Sequence, residues 1–200
     1  MDETYWDEKY RTQDQLWSGN PNGVLLVEAA GLAPGQALDL GCGEGADALW
    51  LAGRGWLVTA VDISRVALTR AAAAGGDAKV SWTHGDLITA PPPAGAFDLV
   101  SALYFPLPRD APAALHSLLE SVAPGGTLLV VGHDLGDAHH HDHQHPDLDP
   151  ADYYRSDEIA DLLGDGWTVE VNETRPRVSP APPESGHIND TVLRARRDAR

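Results

Sequence analysis

Residues 39–45 read DLGCGEG, with acids at positions 39 and 44 and glycines at positions 41, 43 and 45. The apolar Leu38 and Leu40 flank Asp39 with the spacing of a buried strand, and residues 46–52 then change to helical spacing. Glycines between a strand and a helix let the backbone come close to a ligand and leave backbone N–H groups available to bind its anionic part. The stretch therefore predicts a ligand-binding turn.

Two classes of cofactor use such a turn, and Gly41, Gly43 and Ala46 also satisfy the dinucleotide pattern. A pyrophosphate on this loop would be repelled by Asp39 and Glu44, for which the sequence indicates no basic residue nearby. S-adenosylmethionine instead carries a sulfonium and an ammonium group, and an Asp at a strand end can hydrogen-bond and neutralise that ammonium. The acids favour the methyl donor, and a dinucleotide oxidoreductase remains the alternative through the glycines.

Two further predicted strands end in, or just before, an acid. Residues 57–62 read LVTAVD, and the spacing of Asp62 from the glycine turn is typical of a carboxylate that binds ribose hydroxyls. A third strand is predicted over residues 80–87, where Asp86 is placed to accept a hydrogen bond from an adenine amino group. Three such acids in succession are a specific pattern.

With these motifs, the chain resembles a class I S-adenosylmethionine-dependent methyltransferase. Residues 39–45 resemble the first motif of that family, Asp62 the second and residues 85–86 the third, while 97–100 and 123–126 resemble its later strands. Residues 5–10 and 16–22 resemble, more narrowly, the tellurite-resistance-like and thiopurine-methyltransferase-like members, which methylate small and often soft acceptors. The resemblance implies that residues 1–30 form a lid and that Trp17 covers the cofactor, although packing of the first helix onto the core is an equal alternative for this ring. The predicted cofactor-binding residues are Trp17, Asp39, Gly41, Cys42, Gly43, Asp62, Ile63, Asp86, Leu87 and Ser101.

Alternating strand and helix patterns predict an α/β fold with a doubly wound, mostly parallel sheet. The family resemblance implies seven strands in the order 3-2-1-4-5-7-6, with the last strand antiparallel. Ser64 is the expected N-cap of a helix over residues 64–74. Strand five is predicted at 127–132, with Gly125 and Gly126 ending the preceding helix. We expect a single methyltransferase domain over residues 1–200.

Acceptor chemistry would take place on the loops after strands four and five, near the switch in strand order. If the acceptor must lose a proton, the candidate catalytic residues are Tyr104, His133 and Asp134. A soft thiolate or metalloid acceptor needs no base. The alternative for these residues is structural, with Tyr104 in a pocket wall and His133 as a hydrogen-bonded strand end.

Residues 133–150 depart from the family pattern, because six of the nine histidines fall within this insertion. In an extended segment His139, His141, His143 and His145 share one face, and such imidazoles suit nickel, zinc or copper. The alternative is a solvated loop that binds metal only loosely. The second functional hypothesis is therefore a metal-binding or metal-sensing protein built on a methyltransferase fold.

Composition limits the range of partners. The formal net charge of -16 argues against nucleic acid or anionic lipid and leaves a small-molecule acceptor as the expected partner. The single Cys42 excludes a disulfide framework. The first residues lack the features of a signal peptide and no apolar run approaches membrane-spanning length, so the sequence predicts a cytoplasmic protein.

Overall fold

A computed structural model describes residues 2–134, 149–178 and 188–199. They form seven strands and six α-helices, with a short 3₁₀ turn at Pro150–Asp152. The strands are β1 (Gln36–Leu40), β2 (Leu57–Asp62), β3 (Val80–His84), β4 (Phe97–Leu103), β5 (Val122–His133), β6 (Trp167–Pro176) and β7 (Asn189–Arg197). The helices are α1 (Glu3–Arg11), α2 (Gly23–Glu28), α3 (Ala46–Gly53), α4 (Arg65–Gly75), α5 (Pro112–Ser121) and α6 (Ser156–Leu162).

The strands form one sheet in the order β3-β2-β1-β4-β5-β7-β6. β1 to β5 are parallel to their neighbours, whereas β7 runs antiparallel to both β5 and β6. The predicted fold class and strand order are confirmed. The order reverses between β1 and β4, so the carboxyl ends of these two strands border the crevice in which ligands bind in such sheets.

The central strands β1 and β4 are buried on both faces of the sheet, to which their successive side chains point in turn. On one face Leu38, Leu40 and Val100 pack in a buried cluster to which α5 and α6 contribute. On the other face Ala37 and Leu99 pack in a second cluster, which includes residues of α2 and α3. Burial on both sides holds β1 rigidly and fixes the start of the glycine turn.

Local boundaries differ from the predicted ones in two places. β3 ends at His84, so Asp86 lies in the following loop. The helix before strand five ends at Ser121, before Gly125 and Gly126, and β5 begins at once with Val122. The pairing of β4 with β5 then shifts register, and Gly125 takes a positive φ of 80° within this irregular segment. The glycine pair therefore belongs to an irregular start of β5, and the prediction that it ends the helix was wrong. Ser64 is the N-cap of α4, as predicted, because its side chain accepts from the Ala67 N–H.

Most of the predicted insertion at 133–150 lies outside the described residues, including His139, His141, His143 and His145. Among the described helices, none combines the length and apolar character needed to cross a bilayer.

Candidate active site

The glycine turn leaves β1 in a conformation that side chains would not tolerate. Gly41, Gly43 and Gly45 have φ values of 67°, 54° and 86°. A Cβ atom on Gly41 would lie 2.8 Å from the Phe105 ring, one on Gly43 would lie 2.8 Å from the Tyr10 hydroxyl, and one on Gly45 would lie 2.5 Å from the Trp82 ring. Glycine is required here both by the left-handed backbone and by the close approach of three aromatic side chains.

Asp39 lies near the end of β1 with a buried carboxylate that is only half satisfied. The Ser101 hydroxyl donates to Asp39 Oδ1 at 2.9 Å, whereas Oδ2 is buried and has no hydrogen-bond partner among the described residues. Burial first, and then the nearby carboxylates of Asp47 and Asp62, raise the pKa of Asp39. A buried acceptor without a donor is rare in proteins, and the arrangement suits a cationic, hydrogen-donating ligand group.

Asp62 connects the end of β2 to the glycine turn. Its two carboxylate oxygens accept from the Gly43 and Ser64 backbone N–H groups, each at 2.8 Å. Burial raises the pKa of Asp62 in spite of these bonds. Asp86 lies beyond β3, where it accepts from the Ile88 N–H at 2.9 Å. The structure therefore places Asp62 directly against the turn and Asp86 on the loop after the adjacent strand.

The N-terminal segment covers the turn. The Trp17 indole N–H donates to the Tyr10 hydroxyl at 3.1 Å, and both side chains lie against the position that a Cβ of Gly43 would occupy. The Trp17 side chain is nevertheless 45% exposed. The ring lies beside the turn and stays accessible, and its role as a cover for the cofactor stays a prediction.

Glu44 corrects part of the charge argument made from the sequence. Its carboxylate pairs with the Arg70 guanidinium of α4 at 2.9 Å, so a basic residue does lie beside the turn. The same carboxylate accepts from the backbone N–H groups of Leu16 and Trp17. The acids of the site that have no ion-pair partner among the described residues are therefore Asp39, Asp47 and Asp62, which are all buried.

The remaining predicted cofactor residues have different surroundings. Ser101 is fully buried on β4 and reaches the site through its bond to Asp39. The Ile63 carbonyl lies 3.0 Å from the His84 Nε2 atom, and Leu87 packs in the core. Cys42 lies within the turn, where burial raises the pKa of its thiol. Their roles as cofactor contacts stay predictions.

Tyr104 follows β4 in a strained conformation, with φ of 54° in a residue that is not glycine. Its hydroxyl donates to Asp190 Oδ1 at 2.8 Å, and its ring stacks on the His133 ring with centroids 4.6 Å apart. The Arg177 guanidinium lies 4.9 Å from the Tyr104 ring centroid and 3.5 Å from Asp190. Burial, together with the charge of Asp190, raises the pKa of Tyr104, so the phenol acts as a hydrogen-bond donor in this state and is poorly suited to accept a proton.

Sequence reasoning missed Asp190 and Arg177, which join Tyr104 and His133 at the carboxyl ends of β4 and β5. The only available signal was an acid inside the last strand predicted from the sequence, at residues 188–195. Asp134 lies farther along and lines a separate polar groove of about 360 Å³ together with Asn172, Thr174 and Thr191. The structure thus brings Tyr104 and His133 together and places Asp134 on a different surface.

Within residues 2–134, 149–178 and 188–199, no group of three or more His, Cys, Asp or Glu side chains is arranged to hold a metal ion. The four histidines of the metal hypothesis lie outside these ranges. The hypothesis of a metal-binding protein has no support from the described part of the chain.

Comparison with known proteins finds a methyltransferase domain. Residues 37–126, which contain the glycine turn, Asp62 and Asp86, match the family model for a methyltransferase domain. An uncharacterized methyltransferase of Mycobacterium tuberculosis is 41% identical over 122 residues, which are 59% of this chain and 61% of that protein. Thiocyanate methyltransferase 1 of Arabidopsis thaliana is 31% identical over 68% of this chain and 62% of its own length. The 2-heptyl-1-hydroxyquinolin-4(1H)-one methyltransferase of Mycobacteroides abscessus is 28% identical over 77% of this chain and 69% of that protein. This chain thus covers less than two thirds of the length of the M. tuberculosis protein.

Solved structures agree over nearly the whole chain. A structure from work on the conversion of a disulfide bond into a thioacetal group during echinomycin biosynthesis superimposes with a TM-score of 0.74 at 28% identity, covering 98% of this chain and 92% of that one. The N-methyltransferase NodS of Bradyrhizobium japonicum, in complex with S-adenosyl-L-homocysteine, gives a TM-score of 0.73 at 19% identity, covering 98% and 99%. At that identity the second match shows the fold alone. Taken with the glycine turn, the acids and the strand order, these matches show a methyltransferase domain at residues 37–126 and, over nearly the whole chain, the fold of class I S-adenosylmethionine-dependent methyltransferases.

Proposed function

We propose that the protein binds S-adenosylmethionine at the glycine turn and transfers its methyl group to a soft nucleophile of a small molecule, foremost a sulfur. The observation that carries the cofactor assignment is the buried Asp39 Oδ2 atom, which has no hydrogen-bond partner in the described part of the chain and lies beside a turn of three left-handed glycines. An anionic pyrophosphate would be repelled by this carboxylate, whereas the ammonium group of the methyl donor supplies the donor and the charge that it lacks.

The residues present fit the remaining parts of the cofactor. Asp39 would hold the ammonium group, and the backbone of Gly41, Cys42 and Gly43 would face the carboxylate. Each oxygen of Asp62 accepts one bond from the backbone and retains a lone pair for ribose hydroxyls. The cofactor supplies an electrophilic methyl group on a positively charged sulfur, and the task of the protein is to align the acceptor with it and to exclude water.

For the acceptor, a soft nucleophile agrees best with the groups at the ends of β4 and β5. Tyr104 is occupied as a donor to Asp190 and its pKa is raised, so this phenol is a poor base. A thiolate has already lost its proton, so it needs no base in the transition state. In the transfer its sulfur lone pair forms the new S–CH₃ bond while the methyl–sulfonium bond breaks and its electron pair stays on the cofactor sulfur. Two matched proteins carry names that concern sulfur chemistry, thiocyanate methylation and disulfide-to-thioacetal conversion.

A hydroxyl acceptor is the second candidate. It is favoured by the relative named for a hydroxyquinolone and by His133, which stacks on Tyr104 at the end of β5. A hydroxyl of ordinary pKa must lose its proton during transfer, and His133 is the imidazole of this cluster, the side-chain type that most often serves as a general base. In this case activity would depend on His133, whereas thiolate methylation would not.

A matched pair of acceptors tests the proposal. We would measure S-adenosylhomocysteine formation with thiophenol and with phenol, in the wild type and in His133→Asn. We expect turnover of the thiol to exceed that of the phenol at least tenfold and to persist in the variant. Faster phenol turnover that is lost in His133→Asn would favour the hydroxyl acceptor. If S-adenosylhomocysteine fails to bind at all, the cofactor assignment is wrong.

The division into one domain with residues 1–30 as its lid is part of the same proposal.

A further inference from the structure

The N-terminal segment is fixed to the domain on both sides of the glycine turn. On the α1 side, the buried Asp7 carboxylate accepts from the Ser64 hydroxyl at 2.7 Å and from the Val66 N–H at 3.2 Å. On the α2 side, the Asn22 backbone and side-chain amides both donate to Asp47 at 2.7 Å. We call residues 12–21, which lie between these attachments, the flap.

The flap itself is poorly buried. Of its ten residues, only Leu16 and Pro21 are half-buried, and the other eight are exposed. Segments with few buried apolar contacts open at low free energy, far below the cost of global unfolding. The bonds made by the middle of the flap therefore decide how often it lifts from the turn.

Those bonds converge on one side chain. The Glu44 carboxylate, whose side chain is 10% exposed, accepts from the backbone N–H groups of Leu16 at 3.1 Å and Trp17 at 3.0 Å. Arg70 pairs with the same carboxylate and also donates to the Gln13 carbonyl at 2.8 Å. Glu44 belongs to the glycine turn, so the flap is held down by the turn that it covers.

We propose that Glu44 is a positioning residue, a latch that keeps Trp17 over Gly43 and sets the rate at which the cofactor enters and leaves. The inference rests on the proposed cofactor site. With the latch closed, Trp17 and Tyr10 cover the Gly43 face of the turn. Entry of a ligand therefore requires the two N–H bonds to Glu44 to open, and closure over the ligand restores them.

The latch makes a kinetic prediction that simple damage to the site does not share. In Glu44→Gln, which keeps the side-chain shape and loses the charge, the flap opens more often. Both the association and the dissociation rate of S-adenosylhomocysteine should rise, each by roughly three- to tenfold, because charge-assisted hydrogen bonds are weakened. Arg70→Met should give smaller changes in the same direction. Glu120→Gln, whose half-exposed carboxylate pairs only with His116 among the described residues, is the matched control.

Hydrogen exchange tests the latch independently of the cofactor. In the ligand-free wild type the Leu16 and Trp17 amides should be protected, and in Glu44→Gln they should exchange about tenfold faster, while the amides of β1 stay unchanged. Unchanged exchange at Leu16 and Trp17, or an association rate that falls in Glu44→Gln, would overturn the inference. Failure of the wild type to bind S-adenosylhomocysteine would refute the proposed function and leave the exchange test of the latch intact.

Discussion

Replacing Asp39 with asparagine separates the cost of this carboxylate to the fold from its value to the ligand. In the ligand-free protein Asp39 is buried beside two other carboxylates, and its raised pKa means that ionisation is disfavoured in the folded state. In Asp39→Asn the Ser101 hydroxyl can still donate to the oxygen of the new side-chain amide. We therefore expect the melting temperature of the ligand-free variant to equal or exceed that of the wild type at pH 7.5.

Binding should respond in the opposite direction. A hydrogen bond to a charged group contributes about 1.5–3 kcal/mol, and each 1.4 kcal/mol changes an affinity about tenfold, so the variant should bind S-adenosylhomocysteine roughly 10- to 150-fold more weakly. Calorimetric titration measures this change, and thermal unfolding measures the stability. The matched control is Asp98→Asn at the opposite end of the sheet, where Asp98 accepts from the Gln36 N–H at 2.8 Å. A loss of less than threefold in affinity, or a loss no greater than that of the control, would refute the role assigned to Asp39.

The buried acids, the glycine turn and the Glu28 ion pairs each make a further prediction. Burial raises the pKa values of Asp39 and Asp62, so the stability that these acids provide when protonated is lost as pH rises through their folded pKa values. A cationic ligand restores the ionised form, so binding should release protons and the affinity for S-adenosylmethionine should rise from about pH 5.5 to about pH 8. Calorimetry in buffers of different ionisation enthalpy would detect the proton release, and a flat pH profile of the affinity would contradict the prediction. Gly43→Ala should cost about 1–2 kcal/mol of stability from its left-handed φ alone and abolish detectable binding. Gly31→Ala, where a Cβ meets nothing within 4 Å, should change neither stability nor binding. Equal melting curves for the two variants would contradict the argument. Glu28→Gln breaks a buried pairing with Arg175 and Arg194 and should lower the free energy of unfolding by about 3 kcal/mol with binding unchanged. Glu173 is an exposed partner of Arg175, so Glu173→Gln should lower the free energy of unfolding by less than about 1 kcal/mol. Chemical denaturation compares the two variants, and similar losses would show that burial does not govern the effect.

Much of the fold follows from local patterns in the sequence. The change from strand to helical spacing around residues 39–45 placed the turn correctly, because hydrophobic periodicity and glycine preference act over a few neighbouring residues. The acid at the end of β2 was found for the same reason. The residue at which β5 begins was not, since a register shift against β4 governs that boundary and depends on the neighbouring strand.

Local patterns were thus enough to assign the order of elements, the glycine turn and the acids that follow strands. What those side chains meet depended on the folded chain. Glu44 looked like an unpaired acid until α4 placed Arg70 beside it, and Tyr104 looked like a base until β7 placed Asp190 at its hydroxyl, 86 positions along the chain. Hydrogen bonds and ion pairs act through space over a few ångströms, and residues far apart in the chain reach that distance only through the path of the folded backbone.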